Sequence, residues 1–270
     1  MKENILQIKG LKKHFPVLSS VLRRKIGTVK AIDDVSFEMK YGQILGVVGE
    51  SGSGKSALAR TLIQLEKPDE GQIIFCGKDL LSTPPKELKK LRRNMQMIFQ
   101  DPFSSLNPRK SIAESIGEGL LIQKIAKTKS PKNDIIVETL KQVGLSADLM
   151  NRYPHEFSGG QQQRICIARA IAMKPKLLIC DEIVSALDVS IQAQILNLLI
   201  KLKEQFHLSY LFISHDLSVV RHICDYIIVV RQGKIIESAS PMELFSRPKT
   251  PYTKKLLQSI PINHPIERRL

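Results

Sequence analysis

Residues 49–56 read GESGSGKS, with the apolar run Ile44 to Val48 before them and a run of good helix formers, Ser56 to Leu65, after them. Few folds accept the order strand, glycine-rich loop, helix. Gly49, Gly52 and Gly54 let the backbone curl so that successive N–H groups point inward, and the N-terminus of the following helix adds positive potential. A loop of this kind cradles phosphate oxygens. Lys55 is spaced to reach the β- and γ-phosphates of a nucleotide and Ser56 to place its hydroxyl on Mg²⁺, while Glu50, Ser51 and Ser53 complete the loop. The plainer reading, a glycine-rich turn with a solvated lysine, does not require the flanking strand and helix.

The apolar pattern extends this beginning along the chain. Strands are expected at 29–38, 43–48, 95–99, 177–180, 209–214 and 226–230, and helices at 56–65, 161–173, 189–205 and 216–224. Gly77 suits a hairpin turn, and a basic helix is expected around 85–93. From Asp101 to about Gln163 the pattern turns helical and polar, with loop signals at Asp101-Pro102, Asn107-Pro108 and Ser130-Pro131. Such alternation predicts an α/β chain: a parallel sheet with helices on both faces and ligands at the carboxyl ends of its strands. The expected divisions are 1–100 (N-terminal β part and first half of the nucleotide-binding core), 101–163 (helical subdomain), 164–240 (second half of the core) and 241–270 (C-terminal tail). KIAKTKSPKN at 124–133 is expected as a loop and 261–270 as a frayed end.

Four apolar residues at 177–180 lead into Asp181 and Glu182. A buried strand carries both carboxylates to its carboxyl end, where Asp181 is placed to hold Mg²⁺. Alternation along the strand turns Glu182 elsewhere, toward an attacking water whose proton it could take as general base. An acidic cap for the next helix is the alternative. The phosphate loop upstream favours the metal-and-base reading.

The formal net charge of +15 raises the question of nucleic acid, but Lys and Arg are spread along the chain and aromatics are only 5%. An anionic membrane surface suits the same excess. The longest uncharged apolar runs, 44–48 and 226–230, fall far below the roughly 20 residues of a membrane helix. The start, MKENILQIKG, carries both signs of charge, so no secretory signal and a cytosolic chain are expected. Cys76, Cys166, Cys180 and Cys224 lack CxxC spacing and are expected as reduced, mostly buried thiols.

HEFSGGQQQR at 155–164 separates the families that share such a loop. Two glycines after Ser158, directly before a helix, make a second anion-binding helix N-terminus. On these motifs the chain resembles the ATP-binding cassette (ABC) family over essentially its whole length. The resemblance implies a P-loop NTPase (RecA-like) core with a mixed, mainly parallel sheet, an N-terminal antiparallel β part and an inserted helical subdomain. It makes Phe157, Ser158, Gly159, Gly160 and Gln161 the signature motif, with Gln161 standing 20 residues before Asp181. Gln100 in MIFQDP resembles the glutamine that touches Mg²⁺ and faces the membrane subunits. Asp188 in SALD resembles the D-loop aspartate at the dimer interface. His215 in ISHD resembles the switch histidine on the γ-phosphate, and Phe15 in KKHFP the aromatic that stacks on adenine. ATP and Mg²⁺ are thereby implied, with Glu182, His215 and Gln100 catalytic and Ser56, Gln100 and Asp181 around the metal. Two residues depart from the family pattern. Ala57 stands where a hydroxyl usually reaches the α-phosphate, and Ile183 where proline commonly follows the glutamate.

The basic insert Val17–Lys30, FQDPFSSLNPR at 99–109 and the tail FSRPKTPYTKKLLQSIP at 245–261 together resemble the ATPase subunits of bacterial oligopeptide and dipeptide importers, with nickel and glutathione relatives. The chain is most similar to the second ATPase of the pair. Such similarity implies a different, head-to-tail partner cassette, two transmembrane permease subunits, an indirectly acting extracytoplasmic binding protein, and a peripheral place on the cytoplasmic face of the inner membrane. No nucleic acid is expected as a partner. No cysteine follows Cys224, so no iron–sulfur cluster is expected in the tail. The rivals are a soluble cassette acting on nucleic acid or ribosomes, and a P-loop kinase, in which signature and switch histidine have no role.

Overall fold

The computed structural model describes residues 3–19, 25–126 and 128–259. The chain opens with two long antiparallel strands, β1 (Asn4–Leu18) and β2 (Lys25–Lys40). The buried β3 (Ile44–Val48) enters the glycine loop and α1 (Lys55–Leu62) leaves it. β4 (Glu70–Phe75) and β5 (Lys78–Asp79) turn at Gly77, followed by α2 (Pro85–Asn94) and β6 (Met95–Ile98). A helical stretch follows, with α3 (Pro102–Ser105), α4 (Ile112–Ile122), α5 (Lys129–Gln142), short 3₁₀ turns at 147–151 and 154–156, and α6 (Gly159–Ile171). Alternation then resumes through β7 (Leu177–Asp181), α7 (Val189–Phe206), β8 (Ser209–Ser214), α8 (Leu217–Ile223) and β9 (Tyr226–Arg231). β10 (Lys234–Ala239), α9 (Pro241–Ser246) and α10 (Pro251–Gln258) complete it.

Two sheets result. One is antiparallel, in the order β2-β1-β4-β5; the other runs β10-β9-β3-β8-β7-β6 and is parallel apart from its edge strand β10. This is the α/β architecture expected, a mixed and mainly parallel sheet with an antiparallel N-terminal part. Period-two alternation sends each central strand into two cores. Ile44 and Val48 of β3 and Tyr210 and Phe212 of β8 pack with the helical stretch, whereas Leu45, Val47, Leu211 and Ile213 pack with α1 and the antiparallel sheet. Each such burial contributes about 1.5–3 kcal/mol, enough to set the register.

Three expectations need correction. The described part of the Val17–Lys30 insert continues the hairpin, with Val17 opposite Gly27, so strand starts at Lys25 and not at 29. β10 was not expected; it follows a tight left-handed turn at Gln232 (φ 48°) and Gly233 (φ 77°). The loop expected at 124–133 ends early, because α5 already begins at Lys129. The frayed end expected at 261–270 lies outside the described residues. Among the described residues no helix is long and apolar enough to cross a membrane.

Candidate nucleotide-binding site

Strand register builds the site. Val48 pairs with Ser214, Asp181 with Ile213 and Ile98 with Cys180, so the residues just beyond β3, β8, β7 and β6 emerge side by side at the carboxyl end of the sheet. Those residues include Gly49, His215, Glu182 and Gln100.

The glycine loop is wedged against backbone. A Cβ on Gly49 would lie 2.2 Å from Val230 O, and one on Gly54, whose φ is 107°, would lie 2.0 Å from Ala31 O. Gly54→Ala is therefore expected to cost roughly 2–5 kcal/mol, combining left-handed strain with overpacking against backbone that cannot yield. Urea unfolding checks this, and a midpoint equal to wild type would refute the wedge. Gly233, which sequence reasoning missed, donates its N–H to Ser53 O at 2.9 Å and pins the loop from the β9–β10 turn. Its local signal was only a Gln-Gly turn; the contact to residue 53 is long-range.

Inside the loop, Lys55 Nζ donates to Gly49 O (2.7 Å) and Glu50 O (2.9 Å). Burial pulls its pKa below the ordinary value, opposed by the nearby carboxylates of Glu182, Asp181 and Glu50. Ser53 Oγ is buried with no hydrogen-bond partner, as a hydroxyl awaiting a ligand oxygen would be. Ala57 is half-buried against the α1-side core; its side chain offers no hydroxyl, while its carbonyl accepts from Thr61 Oγ1 at 2.7 Å.

Alternation along β7 puts Leu177, Ile179 and Asp181 on the α1 side, and there Ser56 Oγ donates to Asp181 Oδ1 at 3.1 Å. Burial raises the Asp181 pKa; the Ser56 hydrogen bond counters this, and the Glu182 charge adds to the rise. A hydroxyl and a buried carboxylate of this kind fit a hard divalent cation, whose charge would reverse the burial effect. Among the described residues no group of three or more His, Cys, Asp or Glu side chains could hold a metal ion. Ser56 and Asp181 would therefore hold such a cation together with oxygens supplied by phosphate and water.

Glu182 is placed differently from the expectation. The strand ends at Asp181, and Glu182 itself has φ 50°, so a left-handed backbone rather than simple alternation aims its side chain. Its N–H donates to Ile213 O (3.0 Å), and its carbonyl accepts from Ser185 N (3.1 Å) and Ser185 Oγ (2.8 Å). These bonds hold a conformation costing of order 1–3 kcal/mol, the kind of strain that collects at functional sites. The next residue, Ile183, is buried with Val184 in the helical-side core, anchoring the turn without proline.

Glu182 Oε2 receives Gln100 Nε2 at 3.1 Å and meets His215 Nδ1 at 3.1 Å. With an ionised carboxylate as acceptor, Nδ1 carries the proton, so Nε2 of a neutral ring is an acceptor. His215 itself sits between Ser214, whose Oγ accepts from Asp216 N at 2.9 Å, and Asp216, which caps α8 through Ser218 N and Val219 N. Gln100 thus touches the glutamate, not the Ser56–Asp181 pair.

The other expected residues lie apart from this cluster. Ser158 caps α6, accepting from Gln161 N at 3.4 Å while Gln161 Oε1 accepts from Ser158 N at 3.0 Å. Phe157 is buried, and a Cβ on Gly160 would lie 2.7 Å from Ile191 Cγ2, so Gly160 also lets α6 pack on α7. Gly159 is freer, the nearest atom to its Cβ position being Leu187 Cδ2 at 3.8 Å. Among the described residues, none from Ser158 to Gln161 hydrogen-bonds to the glycine loop. Asp188 is exposed and precedes α7 without a side-chain capping bond. Phe15 lies in β1 opposite Val29, half-buried, with Lys13 Nζ 5.3 Å from its ring centroid.

A family model described as "ABC transporter" matches residues 32–185, which hold the loop, Gln100, the FSGGQ stretch, Asp181 and Glu182. The chain belongs to the ABC transporter family. The cassette is 52% identical over 262 residues to the oligopeptide transport ATP-binding protein AppF of Bacillus subtilis (strain 168), covering 97% of this chain and 79% of that protein. With OppF of the same organism the identity is 51% over 266 residues, 98% of this chain and 85% of the relative. Among solved structures it is similar to cbiO1 from Clostridium perfringens, part of the ABC transporter complex cbiONQ (TM-score 0.76, 26% identity, covering 91% of this chain and 92% of that one). It also resembles the dimeric cassette MJ0796 in a post-hydrolysis state bound to ADP and Pi (TM-score 0.75, 27% identity, covering 87% and 98%). The cassette is accordingly an ATP-binding and ATP-hydrolysing unit of a transporter.

Proposed function

We propose that this cassette energises an importer of oligopeptides, working at the cytoplasmic face of the inner membrane on two permease subunits and beside a second, different cassette. The observation that carries the substrate is the similarity to the oligopeptide transport ATP-binding proteins over nearly the whole chain, tail included.

For the chemistry, the loop and Lys55 bind the phosphates. Two of the three ammonium protons of Lys55 are held by loop carbonyls, which leaves one for a phosphate oxygen. Phe15 stacks on the adenine. Ser56 and Asp181 would hold Mg²⁺, whose chemistry there would be to neutralise charge on the phosphate oxygens, and Gln100 would join them only by releasing Glu182. Gln100 and His215 steady Glu182 through Oε2, so Oε1 remains open to a water proton. The water oxygen attacks the γ-phosphorus, Glu182 accepts its proton, and the bond to the β–γ bridging oxygen breaks to give ADP and phosphate. His215 donates to the γ-phosphate as the imidazolium or once Nδ1 lets go of Glu182.

Ser158, Gly159 and Gly160 serve the nucleotide of the opposing cassette, which Asp188 approaches; that, among the described residues, their hydrogen bonds stay within the α6 cap and none reaches the chain's own loop supports this. A cleft of about 490 Å³ lined by Phe99, Glu118, Ile122 and Arg169 supports docking of a permease close to Gln100.

The test is uptake by the complex purified with its membrane subunits and reconstituted in vesicles with the binding protein. ATP-dependent accumulation of labelled oligopeptide is expected, with none for the complex carrying Glu182→Gln. Accumulation of nickel or glutathione without peptide would reassign the cargo. Copurification with ribosomes and no polytopic membrane protein would overturn the importer.

A further inference from the structure

The tail that follows β10 reaches back to the nucleotide loop. Tyr252 of α10 is 7% exposed, and its hydroxyl accepts the backbone N–H of Glu50 at 3.1 Å, across 202 residues of sequence. Its ring lies 4.8 Å from the Arg231 guanidinium at the end of β9, the strand whose Val230 O abuts Gly49.

The tail is built to hold that hydroxyl in place. Glu237 of β10 is buried and accepts both Lys249 N (2.8 Å) and Thr250 N (3.0 Å), the last turn of backbone before α10. Burial disfavours its charge, yet the hydrogen bonds from Lys249, Thr253 and Thr250 outweigh it and hold the carboxyl below its ordinary pKa. Thr250 then caps α10 by accepting Thr253 N at 3.1 Å, and Pro251 occupies the first helical position, where no N–H is required. Each device fixes the start of α10, immediately before Tyr252.

Glu50 is gripped at both ends. Its N–H is held by the tail, and its carbonyl accepts Lys55 Nζ at 2.9 Å and Ser53 N at 3.2 Å. We propose that the tail is a working part of the nucleotide site, with Tyr252 the positioning residue that fixes the Glu50 peptide and so pre-organises the loop and Lys55 for phosphate. This rests on GESGSGKS being the nucleotide loop. Without the hydroxyl, the Glu50 N–H turns to water and the loop must be ordered at the moment of binding, which weakens affinity.

Tyr252→Phe removes one oxygen and keeps the ring, its packing and the Arg231 contact. Tyr210→Phe is the control: it deletes another buried hydroxyl, which donates to Leu199 O at 2.8 Å, away from the loop. Calorimetric titration of the full chain with MgATP is expected to show Tyr252→Phe weakened roughly 3- to 10-fold, the worth of one hydrogen bond. In the assembled transporter KM for ATP rises by a similar factor with kcat within about two-fold, whereas Tyr210→Phe lowers the unfolding midpoint and leaves affinity unchanged. Wild-type affinity in Tyr252→Phe, or equal weakening in both variants, would overturn the inference. A wild-type chain that binds no nucleotide would instead overturn the reading of the loop.

Discussion

Glu182→Gln is expected to lower steady-state ATP hydrolysis by roughly 10²–10⁴-fold while leaving MgATP bound, since a positioned general base is worth about that much. The substitution is nearly isosteric. A glutamine at 182 still offers a carbonyl oxygen to Gln100 Nε2 and His215 Nδ1, which both reach Oε2 at 3.1 Å in the wild type. The left-handed turn is held by backbone and Ser185, so it too survives. What disappears is the capacity to take a proton. Binding and catalysis therefore separate: the variant retains nucleotide in filtration assays, while phosphate release falls. Undiminished release would remove Glu182 from the role of base and leave His215, its partner in the cluster, as the group to test next. His215→Ala gives a complementary reading, because it removes one of the two contacts at Glu182 Oε2 and leaves the carboxylate in place.

The features legible in the sequence were those written locally. GESGSGKS between a strand and a helix, and the apolar run that carries Asp181 to the end of a buried strand, need only neighbours in the chain. Strand order is different. The meeting of Gln100, Glu182 and His215 depends on β6, β7 and β8 lying adjacent and in register, which periodicity does not encode; the family resemblance gave each of the three a role at the nucleotide but not their contact at Glu182 Oε2. Ser130-Pro131 misled for a physical reason. Proline within the first turn of α5 loses an N–H that has no helical partner there, so the pair marks a helix start and not a loop. The role of Tyr252 had no local signal at all; Pro-Tyr-Thr reads as a helix start whether or not its hydroxyl meets Glu50.

Lys55→Met is expected to abolish the stabilisation that nucleotide confers while leaving the unliganded chain about as stable as wild type. The ammonium sits where burial lowers its pKa, so in the absence of phosphate its charge is a cost that the carboxylates of Glu182, Asp181 and Glu50 only partly offset. Methionine fills similar volume without that charge, though it leaves Gly49 O and Glu50 O without the lysine donor. These opposing effects nearly cancel in the empty loop. With nucleotide they do not cancel, because a charge-assisted contact inside a desolvated loop is lost; affinity falls by roughly 10²-fold or more. A ligand at 100 times its Kd stabilises by about 2.7 kcal/mol, so the thermal shift seen with wild type and MgATP should vanish in the variant. The pH dependence has a sign as well. A lysine whose folded pKa is depressed below its unfolded value of 10.5 destabilises the folded state while protonated, so wild-type apo stability gains from this group as pH rises from the folded value toward 10.5. Lys55→Met lacks that increment. A variant that keeps the full MgATP shift would show that Lys55 serves the loop's own carbonyls and not the phosphates.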